Sequence, residues 1–388
     1  MICKVIINGL SMNVIPFVKA AGDLPDPRDN RGKRHDLAFI LTAVVLAIMA
    51  GRSKLSSMHR YICNKIDWLR EITELPEAII ISRAHLPRLL NRVDWESLNE
   101  MIQTHFGFTI SCNSDDEWVA IDGKTLRGTT NASDKQGEKI VLAVTHKTRR
   151  NLAQCSMRGP KSGEVSVVRQ MLQQTGLQMA KVTLDALHCT PTTTAQINQA
   201  GGVYLTQVKE NQEILLNQVQ QLSQNALPLG IELDKEKSHG RVTERSAKFF
   251  TLTDSKFHKR WEKSSLQTLI VINRNTFEKA KQKTTQETSY YVTNQVVAKS
   301  KGDSQKEVFN AIREHWGVES DNWIRDVTLG EDKVKTTSGN LAQVLATLRT
   351  LTMRLFRKGN VQNFQESIEN FTDSQSVFEA FLLKVGFL

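Results

Sequence analysis

The sequence predicts an α/β protein: an N-terminal all-helical domain, then a mixed sheet with flanking helices, then a β-rich insertion before a last helical stretch. Three observations predict it. Residues 24–110 carry apolar side chains at helical spacing, punctuated by Pro25, Pro27 and Gly51. From residue 117 short apolar strands alternate with helices, and residues 229–300 alternate in the manner of strands between highly charged turns. The organisation that follows is an extension (1–23), a helical segment (24–112), the first part of the α/β core (113–228), the β-rich insertion (229–302), the C-terminal helices of the core (303–358) and a tail (359–388).

Taken in order, residues 37–51, 56–74, 82–92 and 95–105 read as helices. Ser82 suits a cap for the third, whose exposed face carries Arg83, Arg88 and Arg92 after the turn around Pro76. That is the pattern of a helix-turn-helix, and equally that of two amphipathic helices packing on each other. Strands follow at 117–122, 139–146 and 152–158, the first two joined by the polar segment 129–138 as an antiparallel meander. A helix (162–175), a strand (179–185), a helix (192–199) and a strand (202–208) come next. Strand, strand, strand, helix, strand, helix, strand is the order of a ribonuclease-H-like core, in which the first and fourth strands lie side by side. The β-rich insertion has strands at 231–234, 247–253, 266–273 and 288–294. Ser304, Gln305, Lys306 and Glu307 form a capping-box start for a long helix to about residue 326. Another helix covers 341–357, and the acidic tail from Asn360 carries no pattern that assigns it.

A chain of 388 residues suffices for two or three domains, or for one elaborated domain with a helical appendage. Lys and Arg outnumber Asp and Glu by 51 to 41, a net charge of +10. This favours an anionic partner such as nucleic acid or a membrane surface over a small neutral substrate, although a solvated basic surface is the plainer reading. Cys3, Cys63, Cys112, Cys155 and Cys189 are scattered, odd in number and without a Cys-x-x-Cys. They suggest neither a disulfide framework nor a structural zinc, and a reducing cytoplasm is the simplest context. The apolar run 37–50 is shorter than the roughly 20 residues a membrane span needs, so it reads as a buried helix. Asn8, Ser11 and Asn13 interrupt the apolar residues after Lys4, and no signal peptide is expected.

The chemistry centres on carboxylates at strand ends. Asp122 closes the run 117–121 and meets Gly123, Lys124, Thr125, Leu126, Arg127 and Gly128 at once. A strand holds the carboxylate rigidly, Gly123 lets backbone or a metal-bound phosphate approach, and Lys124 and Arg127 supply charge for a polyanion. A simple turn is the plainer reading. Asp185 closes the strand 181–184 in the same way, so neighbouring strand ends project two carboxylates toward a divalent metal. Glu319 offers a third on the late helix, where His315, Asn322 or Trp323, and Asp326 share its face. A solvated helix with Arg313 and Arg325 as ion-pair partners is the alternative there.

With its motifs in this order, the sequence resembles the DDE transposases of bacterial insertion sequences, most closely the H-repeat-associated branch. The matching stretches are Asp26-Pro27-Arg28 with the helix through Gly51, residues 120–128 around Asp122, residues 183–188 around Asp185, and residues 207–212. Later come His239-Gly240-Arg241 with Glu244-Arg245, then residues 315–319, Asp326-Val327 and Glu331-Asp332. The resemblance runs from about residue 24 to 357.

It implies a retroviral-integrase-like catalytic core, with Asp122, Asp185 and Glu319 as a metal-binding catalytic triad and Mg²⁺ as cofactor, for which Mn²⁺ substitutes. Two ions about 3.5 to 4 Å apart would activate a water or a DNA 3′-hydroxyl and stabilise the leaving oxygen. The implied partners are double-stranded DNA, as element ends and target, and a second copy of the chain on DNA, with no membrane. The implied location is the bacterial cytoplasm. Phosphate contacts are expected of Lys124, Arg127, Lys209, Arg241 and His315, with Trp316 or Trp323 stacking on a splayed base. Surface ion pairs for Lys209 and Arg241, and core packing for the tryptophans, are the bland readings. His188 reads as a satisfied histidine near the sheet end, and His239 as orienting the insertion or meeting DNA.

Ile312, His315 and Asp326 stand where many insertion-sequence relatives place tyrosine, arginine and lysine. Asn322 and Ser320 stand where the H-repeat branch usually has histidine and asparagine, which puts full activity in question. A stand-alone metal-dependent nuclease and a decayed, non-catalytic DNA-binding protein are the alternatives. Residues 24–110 are expected to recognise the element's inverted ends.

Overall fold

The computed structural model describes residues 16–29, 33–107, 117–130, 137–157, 163–238, 240–252, 259–297 and 302–388. His239, Cys3 and Cys112 lie outside these described residues.

Among the described residues six helices come first: α1 (Phe17–Gly22), α2 (Leu37–Met49), α3 (Leu55–Asn64), α4 (Ile66–Thr73), α5 (His85–Leu90) and α6 (Trp95–Phe106). α2 carries no charge, and all 13 of its residues are buried. Asp36 caps it by accepting from Phe39 N at 2.7 Å. A helix that is apolar all round must be wrapped on every side. α1, α3, α4 and the late helix α12 (Gly339–Lys358) supply the wrapping. The last helices, α13 (Phe364–Asp373) and α14 (Gln375–Val385), join the same core, so the tail that sequence left unassigned is two packed helices. Phe371 stacks on Phe378 with ring centroids 4.7 Å apart, and Phe387 on Phe17 at 5.0 Å.

Two helices differ from expectation. The stretch 56–74 breaks at Lys65 (φ −117°, ψ 18°), which lets the apolar stripes of α3 and α4 turn separately into the core. The stretch 82–92 shrinks to the six residues of α5, entered by a turn in which Ser82 Oγ accepts from His85 N at 3.2 Å. Leu86, Leu89 and Leu90 are buried. Three leucines anchor this short helix, and Arg83, Arg88 and Arg92 are exposed beside them.

The strands are β1 (Val119–Leu126), β2 (Glu138–Thr145), β3 (Asn151–Met157), β4 (Lys181–Leu184), β5 (Val203–Val208), β6 (Gly230–Ser238), β7 (Arg241–Thr251), β8 (Thr268–Glu278) and β9 (Lys283–Thr293). They form one sheet in the order β3-β2-β1-β4-β5-β9-β8-β7-β6. β1 to β3 are an antiparallel meander, and β4 lies parallel between β1 and β5. Helices α7 (Glu164–Thr175) and α8 (Pro191–Gln199) make the crossovers. This mixed sheet, with its first and fourth strands adjacent, is the ribonuclease-H-like arrangement. Helix α9 (Glu213–Asn225), which sequence did not signal, buries only Leu215 and Val219.

The β-rich stretch extends the sheet, because β9 pairs with β5 from Leu205–Thr293 to Val208–Tyr290. From Tyr290, β9 continues outward to Lys283, so the ribbon of β6 to β9 projects roughly 20 Å past β5 at about 3.3 Å per residue.

Near the carboxylates the backbone departs twice from the sequence reading. β1 does not end at Asp122: it stays paired with β2 through Leu126, and the turn comes at Arg127–Thr129. The late helix is broken into α10 (Gly302–His315) and α11 (Gly317–Trp323), followed by one π-helical turn at Ile324–Thr328. The cause lies at Gly317, whose missing Cβ leaves room for the Arg149 guanidinium. That group crosses the break to Asp321 at 3.4 Å, and Arg357 meets the same carboxylate at 2.9 Å. α10 also starts before Ser304, so the expected capping box does not mark its first turn.

Phe387 joins the last residues to α1 with no exposed surface. Phe387→Ala is expected to cost about 3–5 kcal/mol, read as a lower urea midpoint with an unchanged slope.

Candidate active site

β1 and β4 pair through Ile121 and Leu184 and then part. Asp122 and Asp185 are the next residue on each strand, so the structure brings these two together although Asp122 is mid-strand. Asp185 is held by its own turn: its Oδ1 accepts from Leu187 N at 2.9 Å, and its carbonyl accepts from Thr206 Oγ1 at 3.0 Å. Asn211 Nδ2 donates to Ala186 O at 2.7 Å and ties the turn to the segment after β5.

Glu319 lies exposed in the first turn of α11. One turn later Asn322 Nδ2 donates to Asp122 Oδ2 at 3.4 Å. The expected face of His315, Glu319, Asn322 and Asp326 therefore meets β1 and β4 in spite of the break. Burial pushes the Asp122 carboxyl up to about 6; the charges of Asp185, Glu164 and Glu319 add to this, against a bond from Gly123 N. Crowded, part-buried carboxylates of this kind are what a divalent cation relieves, and an all-oxygen set suits Mg²⁺ or Mn²⁺. Asn322 Oδ1, buried without a hydrogen-bond partner, is a further oxygen at the site. Among the described residues no three His, Cys, Asp or Glu side chains converge closely enough to enclose an ion as they stand.

The expected phosphate contacts fall into different places. Lys124 is buried, its Nζ 2.5 Å from Asp326 Oδ1 and 3.0 Å from Glu331 Oε2, so its charge is neutralised inside the protein. His315 Nδ1 lies 2.7 Å from Thr183 Oγ1, which in turn lies 2.9 Å from His146 Nε2. Burial lowers His315 to about 4 and His146 to about 3, so both rings are neutral at physiological pH. His315 accordingly orders the strand before Asp185 and brings no positive charge. Arg127, after β1, and Lys209, after β5, are exposed. Arg241 is exposed at the outer end of the ribbon, 3.5 Å from Glu278. Trp316 and Trp323 are 51% and 59% exposed, so neither is a core residue. Trp316 faces the ribbon, with the Arg274 guanidinium 5.9 Å from its ring centroid.

Sequence reasoning missed Glu164, whose charge bears on Asp122 and which pairs with His188, the histidine expected near the sheet end. His188 is fully buried. Its Nε2 lies 3.3 Å from Glu164 Oε1 and 3.8 Å from Asp185 Oδ1, and the pairing with Glu164 holds that carboxyl below its usual range. No spacing rule could have found Glu164, which is remote in sequence from all three expected acids.

Residues 113–355 match the family described as the Transposase DDE domain, and residues 19–106 match the one described as DDE_Tnp_1-associated. The chain belongs to the DDE transposase family, whose domains act on polynucleotides and use divalent metal ions. Within it the chain falls in the H-repeat branch. It is 24% identical over 353 residues to the "H repeat-associated putative transposase YhhI" of Escherichia coli K12, covering 87% of this chain and 89% of that one. It is also 24% identical over 364 residues to the "Putative transposase YncI" of Escherichia coli O157:H7, covering 89% of each. No helix among the described residues is long and apolar enough to cross a membrane.

The buried histidines give a pH dependence. Below about 6.5 the unfolded chain binds protons that the folded one refuses until pH nears 4. Stability of the metal-free protein should therefore fall as pH drops from about 6.5 to about 4. His146→Gln should flatten that fall in melting curves recorded across the range.

Proposed function

We propose that this protein is the transposase of an insertion sequence, cleaving DNA strands at the element's inverted ends and transferring them to target DNA. Asp122, Asp185 and Glu319 are its metal-binding catalytic carboxylates. The observation that carries the reading is the emergence of Asp122 and Asp185 side by side where β1 and β4 part, with Glu319 near enough to raise the Asp122 carboxyl. Two Mg²⁺ ions, or Mn²⁺, would supply activation of a water or a 3′-hydroxyl and stabilisation of the leaving oxygen.

The chain's own residues prepare that centre. Asn322 orients Asp122, and Leu187 N and Thr206 hold Asp185. Arg127 and Lys209, exposed beyond β1 and β5, receive phosphates, and the open face of Trp316 takes an unstacked base. Arg241 meets DNA farther out along the ribbon. The net charge of +10 supports a DNA partner. The protein works in the bacterial cytoplasm, and pairing two element ends calls for a homodimer on DNA.

The helical region contributes end recognition. Between α3, α4 and the tail helices lies a cavity of about 240 Å³, lined by Arg52, Arg60, Tyr61, Trp68 and Phe371 among others. Neither arginine forms an ion pair among the described residues, and the Arg52 guanidinium sits 6.0 Å from the Tyr61 ring centroid.

With Mg²⁺ and DNA carrying the element's ends, Asp122→Ala or Glu319→Ala should lower cleavage and strand transfer by roughly 10³-fold or more. Undiminished cleavage sinks the assignment; wild-type nicking without joined product points to a simple nuclease. Replacing Arg52 and Arg60 together by Ala should weaken end binding and reduce the salt slope by about 2. Unchanged shift assays across a salt series would remove this cavity from end recognition.

A further inference from the structure

A fourth acidic side chain stands against the same centre. Glu164 opens α7, which packs on β2 and β3. Its carboxylate rests on the Cα of Gly123, so close that a Cβ there would overlap it. Gly123 sits opposite Val141 in the ladder and lacks a positive φ, so the strand has no conformational need for glycine. What its bareness admits is the Glu164 carboxylate.

The pairing of Glu164 ties it to Asp185 through one imidazole. Its Oε2 is 4.0 Å from Lys139 Nζ, and its Oε1 is 3.3 Å from His188 Nε2. His188 is wholly buried and points the same Nε2 toward Asp185 at 3.8 Å. One buried imidazole thus faces both carboxylates and holds Glu164 and Asp185 on the same side of the centre.

Topology supplies the route. Ile121 packs with α7 on one face of β1, and Ala120 packs with Val318 of α11 on the other. Glu164 and Glu319 thus approach from opposite faces, and the two faces communicate where β4 stops and leaves the edge of β1 open. The charge of Glu164 weighs on Asp122 more than that of Glu319 does.

We propose that Glu164 is a fourth carboxylate of the divalent-metal centre, facing Asp122 and Asp185 from the α7 side, with Gly123 admitting it and His188 positioning it. Four carboxylates balance the charge of two divalent cations, which three do not. The inference rests on the metal-dependent reading above and adds a ligand to it.

The test is Mn²⁺ binding to the full-length protein without DNA, by electron paramagnetic resonance and calorimetry. Glu164→Gln should weaken binding at least about tenfold or remove one bound ion, with the melting temperature recorded alongside. Gly123→Ala, which displaces Glu164 without removing a charge, should do the same, and the double variant should bind no worse than Glu164→Gln alone. His188→Ala should weaken Mn²⁺ binding only while Glu164 is present. If Asp122→Asn weakens Mn²⁺ binding and Glu164→Gln does not, the three-carboxylate centre stands and Glu164 is excluded from it. If wild type binds no Mn²⁺, or Asp122→Asn changes nothing, the metal-centre reading fails and takes this inference with it.

Discussion

The Lys124 ammonium, buried under the late helices, is the constraint on which the geometry of the centre depends. It comes from β1, two residues after Asp122, and meets Asp326 and Glu331. Glu331 also pairs with Arg325 at 3.0 Å, and Arg325 reaches α12 through Thr350 Oγ1 at 2.7 Å and Ala346 O at 3.0 Å. Burial alone pushes the Glu331 carboxyl up, but Arg325, then Lys124 and Arg349, outweigh it and hold it at about 2. Each of these charges costs several kcal/mol to bury and is tolerable only while its partners stay in place. β1, the turn after α11 and α12 are thereby locked in one arrangement, which fixes Glu319 relative to Asp122.

A second set of charges decides how the late helix bends. Arg149, from the turn between β2 and β3, and Arg357, from α12, converge on Asp321, and only glycine at 317 leaves space for the first. The break turns Trp316 outward toward Arg274 on the ribbon, so one local kink links the carboxylate centre to the projecting strands. Much of the ribbon's charge is matched: Arg245 on β7 and Arg313 on α10 both meet Asp234, and Arg274 meets Glu287. Such partly exposed pairs add little stability but spread charge evenly along the ribbon.

Much of this was legible from residues alone, for stated physical reasons. Alternation with period two located the strands, and the order of elements placed the first beside the fourth, because parallel neighbours require crossover helices. Asp122 and Asp185 were found because each directly follows an apolar strand segment, and Glu319, Asn322 and Asp326 because helical spacing puts them on one face. The errors share a cause. Lys124 looked like a surface cation because its two carboxylate partners lie more than two hundred residues away, and β1 was cut short because Gly123 to Gly128 read as a basic, glycine-flanked turn. The tail looked unassignable for the same reason, since the core its helices join is formed by neighbours distant in the chain.

By itself the sequence determined the periodicities, the order of elements, the family motifs and the net positive charge, all of which are local or additive properties. Only the tertiary structure decided which charges are neutralised, where the late helix breaks, and that Glu164 lies against Gly123. Ionisation, burial and close approach are properties of pairs of residues, and the pairs that matter here are joined by the packing of the sheet against its helices.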